Sequence, residues 1–234
     1  MESAVRYYPA RLASRSDAGG GMTLVILEPD ADVGPSYTSP GQYVEVRARG
    51  ETGYFVLAGV PGELPWELVM RSGGGVSDVL LPAPLGLDVE VTAAIGAGFP
   101  FEAARERLLV VALSGTGVAA GRPLVRRRIA DGDAARTQVW VGVRTQAELP
   151  LVVDIAEWRE AGVSVVVCLS QPAETPPGEL FAKGYVQDVM AARIASGSLA
   201  DAHVFAVGVS SMVEALRALA PRLGLPVERV HTNH

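Results

Sequence analysis

The residues best suited to bind a phosphate group stand together at Ser114–Gly117, a Ser-Gly-Thr-Gly turn. The apolar run Leu109–Leu113 before it predicts a strand buried on both faces, and Val118–Ala130 after it predicts a helix. A strand that turns through glycines into a helix presents free backbone N–H groups and the positive end of the helix dipole. The segment therefore predicts a phosphate site, although glycine also suits an ordinary turn between a strand and a helix.

Two further residues could contact phosphate or ribose. Ser77 follows the glycine run Gly73–Gly75, and its hydroxyl could bind a phosphate or could cap the turn that follows. Arg144 comes directly after the predicted strand Gln138–Val143, and it could bind a ribose phosphate or form a surface salt bridge.

Other kinds of chemistry find no support in the sequence. The three histidines, His203, His231 and His234, lack the spacing of metal ligands, so we expect no metal site. We find no nucleophile paired with a base and no pair of acids with hydrolytic spacing, and we name no catalytic residue. The single cysteine, Cys168, excludes an intrachain disulfide and a cysteine-ligated iron–sulfur cluster, and we expect it to pack as a small apolar residue.

The first hundred residues predict short strands separated by Gly and Pro turns. This pattern favours an antiparallel barrel or sandwich, and Val76–Leu81 fits a short helix between strands. The predicted strands are Thr23–Glu28, Tyr43–Arg49, Tyr54–Val60, Trp66–Arg71 and Asp88–Ala93.

The remaining residues alternate between strand and helix patterns, which is typical of a parallel sheet covered by helices. We place the boundary in the Gly-, Pro- and charge-containing link 96–107, giving domains at residues 1–102 and 103–234. The predicted strands are Leu108–Leu113, Gln138–Val143, Val163–Leu169 and Val204–Val207. The predicted helices are Val118–Ala130, Val152–Ala161, Val186–Ala195 and Ser210–Leu223.

Composition narrows the class of protein. The chain has 234 residues, 49% of them hydrophobic, and a formal net charge of −6, so we expect a well-packed core and no nucleic-acid partner. No apolar run reaches the length of a membrane helix, and residues 1–15 lack the apolar centre of a signal peptide. We expect the protein in the cytoplasm, or in an organelle such as the chloroplast after loss of a targeting segment.

The order of these motifs resembles the ferredoxin–NADP reductase-like flavoprotein superfamily. The likeness covers nearly the whole chain. Within the superfamily, the chain most resembles the ferredoxin–NADP reductase-like proteins of plants and algae. In the first half it rests on Ser39–Val44, Gly75–Ser77, Leu85–Val91 and Gly96–Pro100. In the second half it rests on Ser114–Gly117, Gly142–Arg144, Gly208–Met212 and His231–Asn233.

The resemblance implies a two-domain fold, in which an antiparallel β-barrel of the flavin-binding type precedes an α/β parallel-sheet domain that binds a nucleotide. It implies FAD in the barrel, with FMN as the weaker option, and NADPH or NADH in the second domain. No Asp or Glu directly follows the strand before Arg144, which favours NADPH slightly. The residues implied for the flavin are Tyr54, Phe55, Val56, Leu57, Gly75, Val76 and Ser77. Those implied for the nicotinamide dinucleotide are Gly115, Thr116, Gly117, Arg144, Gly208 and Met212.

One motif departs from the family pattern. Gly53, Tyr54, Phe55 and Val56 stand where the family has Arg-x-Tyr-Ser, so the Arg that pairs with pyrophosphate is absent. Val207 also replaces the cysteine that many relatives carry before the last glycine loop.

These features predict a flavin-dependent oxidoreductase that moves hydride from NAD(P)H to FAD and then passes electrons to an acceptor, which could be a protein. The departures favour an alternative, a family member that binds flavin or nucleotide with little turnover and acts as a sensor, scaffold or accessory subunit.

Overall fold

The computed structural model describes residues 5–233, and it consists of one antiparallel and one parallel sheet. Residues 1–4, part of the segment considered for targeting, and His234 lie outside the described residues. None of the described helices is long and apolar enough to cross a membrane.

The first sheet is a six-stranded antiparallel barrel with the spatial order β4-β3-β6-β1-β2-β5. An antiparallel bridge between Leu57, just after β4, and Leu68 in β5 joins the two outer strands. Apolar residues such as Leu12, Val25 and Val44 fill the interior. The elements are β1 (Tyr7–Gly19), β2 (Met22–Pro29), β3 (Tyr43–Ala48), β4 (Glu51–Val56), β5 (Trp66–Met70), α1 (Val76–Leu80) and β6 (Asp88–Thr92).

The second sheet is parallel, with the spatial order β10-β9-β8-β7-β11-β12. Its central strand β7 is almost wholly apolar, and Leu109–Leu113 have no exposed surface, as expected of a strand covered on both faces. The strands are β7 (Leu109–Ser114), β8 (Thr137–Val143), β9 (Ser164–Leu169), β10 (Phe181–Lys183), β11 (His203–Val207) and β12 (Val230–His231). The helices are α2 (Val118–Ala130), α3 (Val152–Glu160), α4 (Val186–Arg193) and α5 (Ser210–Leu219).

The strand order reverses direction at β7. From β7 the chain adds β8, β9 and β10 on one side, and then β11 and β12 on the other. In an open parallel sheet, ligands bind in the crevice at the carboxyl ends of the strands where the order reverses. The fold therefore places the turn after β7 and the turn after β11 at the position expected of a binding site.

The two-domain fold class is confirmed, while several strands differ from the sequence predictions. β1 was not predicted because only three of its residues are buried, Ala10, Leu12 and Ala18, and the exposed polar residues between them give no regular alternation. The short strands β10 and β12 were also missed. The strand predicted at Tyr54–Val60 instead spans Glu51–Val56, because the chain turns at Arg49 and Gly50, both with positive φ. The division at residues 102 and 103 remains our proposal; β6 ends at Thr92 and β7 begins at Leu109.

The two halves pack against each other through a shared apolar cluster and an ionic network. Met22 and Val69 of the barrel belong to the same buried cluster as the apolar face of α2. Arg122 on α2 forms ion pairs with Glu67 on β5 and with Asp154 on α3, and the Arg122 side chain is only 6% exposed. These contacts fix how the barrel faces the carboxyl ends of the parallel strands.

Candidate functional site

The Ser114–Gly117 turn joins β7 to α2 with its backbone partly open. Gly115 has a φ of +57°, and a Cβ placed on it would meet nothing within 4 Å. A Cβ on Gly117 would lie 2.5 Å from the carbonyl oxygen of Val207, so this position accepts only glycine. The turn therefore packs tightly on β11 at one end and leaves the backbone at Gly115 accessible to a ligand.

The turn after β11 lies directly beside the first. A Cβ on Gly208 would collide with Ser114 Oγ and lie 3.0 Å from the Ser114 backbone nitrogen. The backbone N–H of Val209 donates to Ser114 Oγ over 3.2 Å. These contacts bring the two glycine turns to one point at the carboxyl edge of the sheet.

A cleft of about 620 Å³, which we call the first cleft, opens beside these turns along the ends of β8 and β9. Arg144 Nε donates to Glu148 Oε2 over 2.9 Å, so the arginine that was predicted to bind a ribose phosphate already has a carboxylate partner. Burial raises the pKa of the Cys168 thiol to about 12, which keeps it protonated at neutral pH. Other residues lining this cleft include Met22, Arg71, Ser170, Tyr185, Gln187 and Met212.

A cleft of about 470 Å³, which we call the second cleft, lies between the barrel and the parallel sheet. Tyr54, Phe55 and Val56 on β4 form part of its barrel side. Its opposite side consists of backbone and small side chains from the two turns, and Asn233 contributes from the C-terminal segment. Tyr54 is 65% exposed, so its ring is available to a ligand.

The Gly53 position explains how the barrel accommodates its altered motif. A Cβ on Gly53 would lie 2.9 Å from Val76 Cγ1 and 3.1 Å from Phe55 Cε2. The ring of Phe55 therefore covers the space that a side chain at position 53 would enter. The missing arginine and the orientation of Phe55 are parts of one packing arrangement.

The polar groups of the turn before α1 already form hydrogen bonds with one another. Asp78 accepts hydrogen bonds from Ser72 Oγ over 2.6 Å and from the backbone N–H groups of Gly73 and Gly74 over 3.1 and 2.9 Å. The hydrogen bond from Ser72, followed by those from the glycines, lowers the pKa of Asp78. Ser77 Oγ donates to the Gly74 carbonyl oxygen over 2.8 Å, so it must rotate before it can donate to a phosphate.

The structure brings most of the predicted site residues to the two clefts, but not all. The residues at the clefts are Tyr54, Phe55, Val56, Gly115, Thr116, Gly117, Arg144, Gly208 and Met212. Met212 is also buried in the core beside α5. Four predicted residues do not line either cleft: Leu57, Gly75, Val76 and Ser77. The Leu57 side chain is fully buried in the barrel interior, so only its backbone could contact a flavin.

Several residues that line the clefts were not predicted, among them Arg71, Tyr185 and Asn233. Arg71 carries a sequence signal that could have been used, because a charged residue stands between a buried strand and a glycine run. Asn233 belongs to the segment His231–Asn233 that carries part of the resemblance, but the sequence does not place it or Tyr185 at a cleft. Their positions follow from the pairing of β10 and β12 at the outer edges of the sheet.

Comparisons with known proteins agree with this architecture. The family described as "Oxidoreductase NAD-binding domain" matches residues 112–218. The chain is 27% identical over 226 residues to the fruit protein pKIWI502 of Actinidia deliciosa, covering 88% of this chain and 69% of that protein. It is 28% identical over 207 residues to a Ralstonia ferredoxin–NAD(P)+ reductase component of naphthalene 1,2-dioxygenase/salicylate 5-hydroxylase systems, covering 85% of this chain and 61% of that protein.

Solved structures share the fold across both domains. The Amycolatopsis cytochrome P450 reductase GcoB superposes with a TM-score of 0.81 at 25% identity, covering 98% of this chain and 69% of that one. The ferredoxin reductase in carbazole 1,9a-dioxygenase gives a TM-score of 0.80 at 18% identity, covering all of this chain and 70% of that one.

The matched family covers most of the parallel-sheet domain, and the structural relatives share the barrel that precedes it. The closer likeness to plant and algal proteins remains a prediction. The motifs, the fold and these comparisons together give the chain the two-domain fold of the ferredoxin reductase-like flavoproteins, with a match to the oxidoreductase NAD-binding domain in its second half.

Proposed function

We propose that this protein is an NAD(P)H-dependent flavin oxidoreductase that passes electrons to a separate acceptor. The observation that carries the proposal is the meeting of the two clefts at the glycine turns, where Ser114 and Gly115 line both. A nucleotide bound in the first cleft would lie next to a ring system bound in the second. Hydride transfer between two cofactors requires this kind of close and dry alignment.

The residues present fit the two cofactors. The open backbone at Gly115 can accept a phosphate, and the exposed ring of Tyr54 can contact a flat aromatic group. Val56 and Met70 give the second cleft an apolar wall. When bound, FAD would supply the capacity to accept a hydride and to release electrons singly.

The roles of the chain's own residues follow from this arrangement. Gly115–Gly117 would bind nucleotide phosphate through the backbone, and Gly208 would let the two turns close on each other. Ser114 Oγ holds the Val209 N–H and so fixes the turn after β11. Among residues 5–233, none that lines the second cleft is a histidine or a carboxylate, which suits a reaction that needs no acid or base at that point.

The Arg144–Glu148 pair leads us to propose NADH as the preferred donor, against the slight sequence preference for NADPH. Glu148 does not directly follow β8, yet its carboxylate reaches Arg144 and lines the first cleft. A carboxylate accepts hydrogen bonds from ribose hydroxyls and repels a 2′-phosphate. The Glu148→Gln variant should therefore gain NADPH activity relative to NADH, whereas Glu157→Gln, on the exposed face of α3, should not.

The test of the proposed function begins with the absorbance spectrum of the purified protein. We expect a flavin band, or its appearance after the protein is mixed with FAD, and bleaching of that band by NADH without oxygen. Rapid NADH oxidation with ferricyanide as acceptor would complete the support. A protein that binds neither FAD nor nucleotide would overturn the proposal.

One set of observations favours a second candidate, a flavin- or nucleotide-binding accessory protein. The motif residues Gly53 and Val56 lack the charged and hydroxyl groups of the family pattern, and Asp78 occupies N–H groups of the glycine run. This candidate predicts cofactor binding with very slow ferricyanide reduction. Turnover of several per second or more would exclude it.

A further inference from the structure

The hairpin between β1 and β2 packs its tip, residues 18–21, against the parallel-sheet domain. The backbone N–H of Leu151 donates to the carbonyl oxygen of Ala18 over 2.6 Å. A Cβ on Gly20 would lie 2.3 Å from the carbonyl oxygen of Glu148. The hairpin tip therefore contacts the segment before α3 backbone to backbone.

The contacted segment carries the carboxylate that we assign to nucleotide selection. It runs from the end of β8 to the start of α3, and the buried side chains of Leu149 and Leu151 anchor it in the apolar cluster shared by the two domains. Glu148 lies between these anchors and the first cleft, where it accepts the hydrogen bond from Arg144. Glu148 therefore meets the barrel with its backbone and the cleft with its side chain.

The same segment contains a residue in an uncommon conformation. Leu151 has a φ of +54°, in the left-handed region that residues with a side chain rarely adopt. Such a conformation persists where the surrounding structure holds it. The hydrogen bond to Ala18 and the burial of the Leu151 side chain supply that support, so the barrel helps to fix the path of the chain next to Glu148.

The three glycines of the tip differ in how closely they approach the other domain. All have positive φ, of +78° at Gly19, +61° at Gly20 and +71° at Gly21. A Cβ on Gly21 would have no atom of residues 5–233 within 4 Å, whereas one on Gly19 would lie 3.0 Å from the carbonyl oxygen of Leu149. The turn explains the positive φ at all three positions, but only the contact explains why position 20 has no room for a side chain.

We propose that Gly20 is a positioning residue for nucleotide selection, because it lets the barrel lie directly against the Glu148 backbone and so holds the Glu148 carboxylate at the ribose of the nicotinamide nucleotide. This inference rests on the proposed function, in which Glu148 distinguishes NADH from NADPH. A side chain at position 20 would push the two backbones apart by roughly an ångström, and hydrogen bonds weaken steeply with such changes.

The experiment measures binding of ADP-ribose and of 2′-phospho-ADP-ribose by calorimetry, because neither probe requires hydride transfer. The ratio of the two dissociation constants gives the preference of each protein. Gly20→Ala should lower the wild type's preference for ADP-ribose by about threefold to tenfold, which is part of the effect of losing a charged hydrogen-bonding group. A variant that merely loosened the first cleft would weaken both probes alike and leave the ratio unchanged.

Alanine at the neighbouring glycines gives a graded series with the same backbone conformation. Gly21→Ala should keep the preference of the wild type, since its methyl group has open space. Gly19→Ala should lower the preference less than Gly20→Ala, because its contact is less close. Gly19→Ala also tests the inference if Gly20→Ala does not fold, which urea unfolding would reveal.

A double variant tests whether Gly20 acts through Glu148. In the Glu148→Gln background the carboxylate is gone, so adding Gly20→Ala should change the preference no further. A further change of the same size as in the wild type would show that Gly20 acts by another route, and would overturn the inference.

The remaining outcomes separate the inference from the proposed function. If the wild type prefers ADP-ribose and all three alanine variants keep that preference, the inference is wrong and the proposed function stands. Equal losses in Gly20→Ala and Gly21→Ala would also overturn the inference, because strain within the hairpin would then be the cause. If the wild type binds both probes equally well, the role given to Glu148 is wrong, and the inference falls with it. If the wild type binds neither probe, the proposed function itself is wrong.

Discussion

Replacing Arg122 by methionine should destabilise the protein far more than replacing an exposed arginine. Arg122 contacts Glu67 of the barrel and Asp154 of α3, and the exposed fractions of the three side chains are 6%, 24% and 11%. Burial works against the charge, but hydrogen bonds and attraction to the two carboxylates outweigh it and raise the pKa of Arg122. Methionine keeps most of the length and removes the charge, which leaves two carboxylates in a poorly hydrated place.

The size of the effect follows from the burial and from the neighbouring Arg126. Removing one member of a buried ion pair costs about 3–5 kcal/mol. Arg126 still lies 3.6 Å from Glu67 and 3.4 Å from Asp154, so we expect a loss near the lower limit, about 3 kcal/mol. For a chain of this size that loss lowers the melting temperature by about 6–12 °C.

Thermal and urea unfolding of Arg122→Met and Arg105→Met provide the assay. Arg105 pairs with Glu102 over 3.3 Å, but the two side chains are 60% and 69% exposed, so its loss should cost about 0.2–1 kcal/mol. Adding Glu67→Gln and Asp154→Asn to Arg122→Met should recover part of the stability, since the unpaired charges are then gone. Equal losses for the two single variants would refute the argument from burial.

Two other predictions concern the parallel-sheet domain. Gly208→Ala should weaken ADP-ribose binding at least about tenfold, because its methyl group collides with Ser114 and displaces the turn. Calorimetry measures this affinity. The control Gly132→Ala is also at positive φ but has open space around it, so it should bind ADP-ribose normally. His203 is buried, and desolvation, then repulsion by His231, lowers its pKa from 6.5 to about 4. Below pH 6.5 His203 is protonated in the unfolded chain but stays neutral in the folded protein. The free energy of unfolding should therefore fall between pH 7 and 4.5, and it should fall by about 2–3 kcal/mol more in the wild type than in His203→Phe. If urea unfolding shows that the wild type and His203→Phe lose the same free energy of unfolding between the two pH values, the argument is contradicted.

The sequence predicts the helices of the second half well because their signals are local. The bounds predicted for α2, Val118–Ala130, are those observed, and α3 differs by one residue at its end. Strand β1 was missed because its pairing partners, β2 and β6, supply the order that its own composition does not indicate. Strand β12 is two residues long and exists only through its pairing with β11.

The candidate site was predicted in part for a similar reason. Glycine turns are visible in the sequence, so Gly115 and Gly208 were found. Leu57 was also predicted to contact the flavin, but it follows β4 and its side chain is fully buried in the barrel interior, whereas Tyr54–Val56 line the second cleft. Arg71 was missed because its place at both clefts depends on how near the end of β5 lies to the turn after β7, which only the tertiary structure reveals.

The contact between Phe55 and Gly53 has a consequence for how this barrel can evolve. An arginine introduced at position 53 would meet the Phe55 ring and Val76 before it could reach any ligand. Reversion toward the family motif therefore requires the aromatic ring to move first, and that movement alone would leave a void in the barrel wall. We therefore expect the effects of substitutions at positions 53 and 55 on stability to be non-additive. A lineage that has lost the arginine in this way can regain a phosphate-binding charge more easily at a new position than at the old one.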